Sequence, residues 1–402
     1  MSQQKRSDHR FPSWPIFDEH EEKILLKVIR SGKWWCGAPD VHEGKFVWQF
    51  QEEFAKFQNA KYCIAVSNGT VAIESALFAL GIGLGDEVIV SDYTFFASAS
   101  AVIANNAVPI FCDINPETLV MDVNKLDKLI TDRTKAIIPV HLGGNSVEID
   151  WLMEIAEKNN LYVVEDCAHA HGSSYKGKKL GNWGDAGAFS FQASKVLTCG
   201  EGGAIICNSN ELADKMYSFI DCGRKKGRGS YEHFSYGTNY RMTEYQAAIL
   251  LTQMERFNNQ HKLRNENARY LSKRLNEIDG IKVMRPTDGT FELGWYVFPF
   301  VFDPSKFGGI GKTDFKKKIQ EQGIPCVDNY PPLHTLTCFK EVKLKSGIDY
   351  SIANWGGKKS DDRYFPVVSN VYSRSIELPQ EVLLASHKQL DFIVDYIKSL
   401  QN

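Results

Sequence analysis

Lys195 stands in a setting suited to covalent chemistry. It closes the run Phe189-Ser190-Phe191-Gln192-Ala193-Ser194-Lys195, and Gly200-Glu201-Gly202-Gly203 follows. A strand-like segment therefore delivers an amine to a glycine turn. Upstream, the apolar run Val163-Val164 ends in Glu165-Asp166. Lysine is usually a solvated surface residue, but Phe191, Val196 and Leu197 surround this one. Desolvation there would lower its pKa towards the free amine. A free amine can hold an aldehyde as a Schiff base and can then carry a proton as general base and acid. Pyridoxal phosphate needs such an amine, a carboxylate that keeps its pyridine nitrogen protonated, and donors for its phosphate. Lys195, Asp166 and Ser190 can supply all three.

Other residues could complete or dilute that reading. Ser67-Asn68-Gly69-Thr70 lies between a strand and a helix. The backbone N–H groups of such a helix start, with the Thr70 hydroxyl, form an anion site; a simple N-cap would look the same. Asp166 needs a buried cation or donors, which a pyridinium N–H, a helix cap or a structural ion pair would each provide. Glu165 must face the other side of the strand, because side chains alternate. Phe95, in Tyr93-Thr94-Phe95-Phe96, could stack on a pyridine ring or serve as a core aromatic. His169 and His171 could reach a ring hydroxyl or act structurally. Trp34, Trp35 and Arg224-Lys225-Lys226 could meet a sugar ring or a nucleotide diphosphate, or form ordinary surface. Arg241 could hold a donor carboxylate by bidentate pairing or brace a dimer.

These residues need elements to position them. Seven β-rich runs, Tyr62–Val66, Glu87–Ser91, Val108–Ile114, Lys135–His141, Leu161–Asp166, Ala186–Phe191 and Ala204–Cys207, alternate with helical spacing at Val71–Leu80, Ser98–Asn105, Val123–Ile130 and Ile149–Asn159. Such alternation predicts an α/β fold with a mainly parallel seven-stranded sheet covered by helices. Ligands of open α/β sheets sit outside the carboxyl ends of the strands, where Ser67, Asp166 and Lys195 fall. A long helical pattern, Glu244–Ile278, precedes a strand at Trp295–Phe302, a helix at Lys312–Gln322, a strand at Ile324–Asp328 and a terminal helix at Ser386–Leu400. The expected division is an N-terminal segment (1–40), a large cofactor-binding domain (41–243), a linking helix (244–278) and a small α+β C-terminal domain (279–402). The Gly-rich basic loop Arg224–Ser230 is the expected mobile element.

With 402 residues, 43% apolar and 24% charged, the chain has the composition of a soluble globular protein of more than one core. A formal charge of -2 and no long basic block give no electrostatic footprint for nucleic acid. The nine cysteines include no C-x-x-C pair, so neither a disulfide framework nor a zinc site is expected, and no metal is assigned. No apolar run approaches the roughly 18 residues of a membrane-spanning helix, and the first ten residues are polar. A cytoplasmic protein with small-molecule partners is the expectation.

Taken in order, Ser31-Gly32-Lys33-Trp34, Ser67–Thr70, Gly83–Val90, Thr134–His141, Glu165–Gly172, the lysine motif and Asn239–Glu244 resemble the DegT/DnrJ/StrS family of pyridoxal-phosphate sugar aminotransferases. The resemblance covers nearly the whole chain. It implies the aspartate aminotransferase architecture (fold type I), with Lys195 as the Schiff-base residue and Asp166 as the partner of the pyridine nitrogen. It further implies His169 at the ring oxygen, Phe95 stacked on the ring, and Gly69, Thr70 and Ser190 at the phosphate. Asn239 would join them from the neighbouring subunit of a homodimer with shared active sites. Lys195–Gly203, Phe307-Gly308-Gly309 and Pro331-Pro332-Leu333-His334 are most similar to members that use L-glutamine to aminate scyllo-inosose or its 2-deoxy analogue. That similarity would set His334 near the donor or substrate, with Trp34 and Arg241 as the other substrate candidates. Asn329-Tyr330 and Thr335–Cys338 depart from that subgroup's pattern.

The leading expectation is transfer of an amino group from L-glutamine or L-glutamate to a keto-sugar or ketocyclitol. A nucleotide-linked ketosugar for surface polysaccharide is the alternative acceptor. A dehydratase is the alternative reaction, although Lys195 disfavours the dehydratases that carry histidine there. A regulatory protein that binds the cofactor or a sugar without turnover is the alternative from another class.

Overall fold

The computed structural model describes residues 11–36, 46–225, 231–340 and 364–401. Five strands come first: β1 (Tyr62–Val66), β2 (Glu87–Ser91), β3 (Val108–Cys112), β4 (Thr134–Ile138) and β5 (Tyr162–Asp166). A short hairpin of β6 (Ser174–Tyr175) and β7 (Lys178–Lys179) separates them from β8 (Ala186–Ser190) and β9 (Gly203–Cys207). The large sheet runs β1-β9-β8-β5-β4-β2-β3. Only β9 is antiparallel to its neighbours; the remaining pairings are parallel. The expected mainly parallel sheet is therefore present, and all seven expected runs contribute.

Alternation along the strands divides the core. Ile89, Ile137, Val163 and Phe189 join one apolar cluster, whereas Val88, Val90, Ile138, Val164 and Ala188 join the other. Both faces are covered, as an all-apolar parallel sheet requires. The same alternation separates the two carboxylates at the end of β5. Asp166 shares a face with Val164, whereas Glu165 shares one with Val163.

On its own face Glu165 is fully buried. It accepts from the backbone N–H groups of Gly181 (2.8 Å), Trp183 (2.7 Å) and Gly184 (2.9 Å), and its Oε2 lies 3.0 Å from His141 Nε2. These contacts pin the turn ahead of β8 and explain the residue without any role in chemistry. Glu165→Gln turns an amide NH2 towards these donors and is expected to lower unfolding stability by about 1–3 kcal/mol, read in urea melts.

The helices are α1 (Glu19–Ser31), α2 (Phe46–Gln58), α3 (Gly69–Ala79), α4 (Ala97–Ala104), α5 (Ile149–Lys158), α6 (Asn210–Ile220), α7 (Glu244–Leu275) and α8 (Lys312–Glu321), followed by further short helices and a last one at His387–Ser399. Two expectations change. The run Val123–Ile130 forms only a 3-10 helix at Val123–Lys128. The expected strand Ile324–Asp328 shrinks to one bridge between Val327 and Glu377, because Pro325 has no N–H to give a ladder. The C-terminal residues instead build the antiparallel sheet β10-β12-β13 from β10 (Ile281–Val283), β12 (Val297–Phe302) and β13 (Ser375–Pro379). Between them β11 (Thr290–Glu292) pairs with β6. Among the described residues no helix is long and apolar enough to cross a membrane.

Candidate active site

Lys195 lies in the turn after β8, where its backbone N–H donates to the Gln192 carbonyl at 2.8 Å. It is only 7% exposed. Burial pulls its pKa down to about 7, against the opposing pull of the Asp166 carboxylate. The free amine that the sequence called for is thus available near neutral pH. Its Nζ sits 3.8 Å from the ring centroid of Tyr296.

Asp166, also buried, ends β5 beside it. Oδ2 accepts from Ser98 Oγ at 2.6 Å, and Oδ1 accepts from the Ala168 N–H at 3.1 Å. Two short donors from α4 and the loop after β5 fix the carboxylate's direction. His169 Nδ1 accepts from the Gly143 N–H at 3.3 Å. Nε2 therefore carries the proton of the neutral ring, and it faces Tyr330 Oη at 3.3 Å. Burial holds His169 well below the usual imidazole range, helped by the charge of Lys195 and by His171. Phe95 is 51% exposed and lies 5.8 Å, centroid to centroid, from Tyr330. An exposed ring at a strand end is available for stacking, unlike a core aromatic.

The α3 N-terminus is capped by Asn68, whose Oδ1 accepts from the Val71 N–H at 3.0 Å. Asn68 thus takes the capping role, and Thr70 is left partly buried in the first turn. Gly69 packs on Ser190. A Cβ at position 69 would come within 2.7 Å of Ser190 Cβ, so this turn forms a cradle that glycine keeps open. Gly69→Ala is expected to displace Ser190 and to weaken binding of pyridoxal phosphate about tenfold. Cofactor titration by fluorescence checks it.

The remaining expected residues fall around this centre. The segment 239–241 runs past the end of β1, bridging Asp221 through Asn239 and Val66 through Arg241. Asn239 is exposed. Arg241 Nη1 bonds Asp221 Oδ1, and its guanidinium carbon lies 5.3 Å from the Trp35 ring, so within this subunit it braces the segment. Trp34 is exposed, with Nε1 donating to the Ile29 carbonyl at 3.3 Å. Lys225 Nζ lies 4.8 Å from the Phe234 ring. Lys226 and the rest of the expected mobile loop to Ser230 lie outside the described residues.

His334, expected near substrate, is buried. Its Nδ1 is 2.5 Å from Asp92 Oδ2, its N–H donates to Asp92 Oδ1 at 2.9 Å, and its ring stacks on Phe365 at 4.4 Å. It ties the segment after Pro332 to the end of β2. Two residues of this centre were not expected, Tyr296 and Tyr330. Tyr296 lies in the aromatic-rich run Trp295–Phe302 and Tyr330 beside Pro331-Pro332; only the tertiary fold brings them to Lys195 and His169.

The residues present fit pyridoxal phosphate: a buried amine with a depressed pKa, an oriented carboxylate on the neighbouring strand and a helix start with a glycine cradle. This fold, with these groups at its strand ends, defines a pyridoxal-phosphate-dependent aminotransferase of the aspartate aminotransferase architecture. The chain belongs to the DegT/DnrJ/EryC1/StrS aminotransferase family, whose profile matches residues 15–389. It is 33% identical to the L-glutamine:2-deoxy-scyllo-inosose aminotransferase of Streptoalloteichus tenebrarius, over 94% of this chain and 92% of that protein. It is also 33% identical to the spore coat polysaccharide biosynthesis protein SpsC of Bacillus subtilis, over 99% and 98% of the two chains. The crystal structure of 3-amino-5-hydroxybenzoic acid synthase matches with a TM-score of 0.87 and 29% identity, over 98% of each chain.

Proposed function

We propose that the chain moves the amino group of L-glutamine onto a ketocyclitol of the scyllo-inosose type, in aminocyclitol biosynthesis. The observation that carries the chemistry is the buried Lys195 amine, with its pKa near 7. The relative from Streptoalloteichus tenebrarius supports the choice of donor and acceptor. When bound, pyridoxal phosphate supplies an electron sink that makes the carbon next to the transferred nitrogen acidic. Lys195 is then the residue that holds the cofactor and moves the proton at that carbon. Asp166, oriented by Ser98 and Ala168, keeps the pyridine nitrogen charged. His169, whose Nε2 carries the proton, would donate to the ring oxygen, and Phe95 would cover the ring face. Gly69, Thr70 and Ser190 receive the phosphate at the start of α3.

In the same reading the enzyme is a homodimer, and the partner subunit's Asn239 completes each phosphate site; the exposure of Asn239 supports this. Trp34 and Arg241 border the substrate entrance, whereas His334 acts from beneath by holding its loop on Asp92. We divide the chain into a large domain (41–243), a linking helix (244–278) and a small C-terminal domain (279–402). A cytoplasmic location accords with Cys112, Cys167 and Cys207, which lie buried as free thiols. SpsC favours a second acceptor, a nucleotide-linked ketosugar for surface polysaccharide.

The test is spectroscopic. Reconstituted protein should show the visible band of lysine-bound cofactor, and L-glutamine should convert it to the amine form. A screen of scyllo-inosose, its 2-deoxy analogue and nucleotide-linked ketosugars should then restore the band with one class. Restoration by the nucleotide-linked class alone would replace the ketocyclitol reading, and no response to L-glutamine or L-glutamate would remove transamination from these donors.

A further inference from the structure

The ring facing Lys195 is held in place with some care. Tyr296 Oη hydrogen-bonds Ser194 Oγ at 2.8 Å, and Ser194 Oγ donates to Gln192 Oε1 at 2.6 Å. The carbonyl of that same Gln192 receives the Lys195 N–H. The tyrosine is thereby tethered to the turn that carries the lysine. Its ring also packs on His169, centroids 4.1 Å apart. The residue before it, Trp295, adopts φ +47, a conformation that is costly for a bulky side chain. The Trp295 indole N–H is anchored on Asn265 Oδ1 at 3.1 Å. A strained and anchored kink thus sets Tyr296 at the entry to β12.

An ammonium within about 6 Å of an aromatic face is attracted by the ring's quadrupole, most strongly where water is excluded. The Lys195 Nζ, at 3.8 Å, meets both conditions. We propose that Tyr296 is a positioning residue for Lys195, its ring holding the ammonium whenever the amine is not bonded to the cofactor. The inference rests on Lys195 as the attachment residue proposed above. The first half-reaction frees this amine when the donor's amino group takes its place, and the amine stays free until the aminated product of the second is released. Nζ then accepts the proton leaving the substrate carbon and later returns a proton to the cofactor carbon. A charge held over Tyr296 keeps Nζ within reach between the two transfers.

The groups that set the charge of Nζ are few. Asp166 from β5 favours the ammonium. His169 and His171 from the following loop are both kept neutral, His171 with a pKa pushed down to about 3 by burial and the Lys195 charge. Tyr330, packed on His169, is held protonated by burial. Asp166 and the Tyr296 face therefore supply the stabilisation of the cation.

The experiment is an NMR titration of cofactor-free protein carrying lysine labelled at Cε, with the Lys195 signal assigned by its loss in Lys195→Ala. Tyr296→Leu should lower the Lys195 pKa by roughly half a unit to one unit, whereas Tyr296→Phe, which keeps the ring, should stay within about 0.3 unit of the parent. Tyr296→Met, closer in length, serves the same purpose if the leucine variant folds poorly. An unchanged or raised pKa in the variants without the ring overturns the proposal. The attachment reading fails separately: if Lys195→Ala still forms the visible cofactor band, Lys195 is not the attachment residue, whatever the titration gives.

Discussion

Lys195→Ala is expected to lower amino transfer by at least about 10³-fold and to leave the folded protein as stable as the parent or more so. The first effect follows from two tasks resting on one amine, attachment and proton movement, for which no other buried lysine stands at the strand ends among the described residues. The second follows from burial. An amine that prefers to be charged in water has been placed where the charge is disfavoured, and alanine removes that cost. The pH dependence separates this account from simple loss of packing. The ordinary lysine pKa of 10.5 applies to the unfolded chain, and the folded value is about 7. Between those values the unfolded chain binds the extra proton, so stability rises with pH through this window. The penalty is complete below about pH 7 and absent above the unfolded value. Melting of cofactor-free protein at pH 7 and pH 9.5 should therefore show a larger gain for the parent than for Lys195→Ala. Equal gains would mean that Lys195 is solvated, and the site would lose its reactive amine.

Much of this centre is legible in the linear chain because its parts follow local rules. Strands buried on both faces are apolar runs, so the seven of the large sheet stand out, and a carboxylate or lysine at the end of such a run is conspicuous. Alternation alone separates Asp166 from Glu165, and the structure gives Glu165 its structural donors. The helix α1 was equally readable. Asp18 and Glu21 form a capping box, and Gly32 closes the helix at φ +66, within the stretch 1–40 expected only as an N-terminal segment. Tyr296 and Tyr330 are a different matter. Val297–Phe302 reads as a packing strand and Tyr330 only as a departure beside the Pro331–His334 motif, and nothing local tells a tyrosine facing Lys195 from one in a core. His334 too is set from afar: the resemblance puts it near donor or substrate, and Asp92, 242 residues earlier, accepts its backbone N–H and pairs with its ring nitrogen. Partners so distant in sequence leave no spacing to read.

Asp166→Asn is expected to reduce turnover by about 10²–10³-fold, the usual cost of removing one oriented charge from a dry site, with little change in fold. The amide matches the carboxylate in shape. Ser98 Oγ can still donate to the remaining oxygen, or turn to accept from the new NH2, so the buried neighbours stay satisfied. What is lost is the negative charge that keeps the pyridine nitrogen protonated, and with it the electron sink. Lys195 should respond too, because Asp166 is the carboxylate that raises its pKa; in the asparagine variant the amine should titrate lower. Cofactor attachment and transfer then part company. Attachment needs the free amine and should persist at neutral pH, while transfer should collapse. A cofactor methylated at the pyridine nitrogen carries its positive charge permanently and should restore part of the lost rate in Asp166→Asn while giving no gain in the parent. Rescue of that kind would tie the residue to the charge of the ring. If the methylated cofactor binds and reports the visible band but turnover stays at the variant's level, Asp166 serves to orient the site through Ser98 and Ala168, and the source of the electron sink must be sought elsewhere.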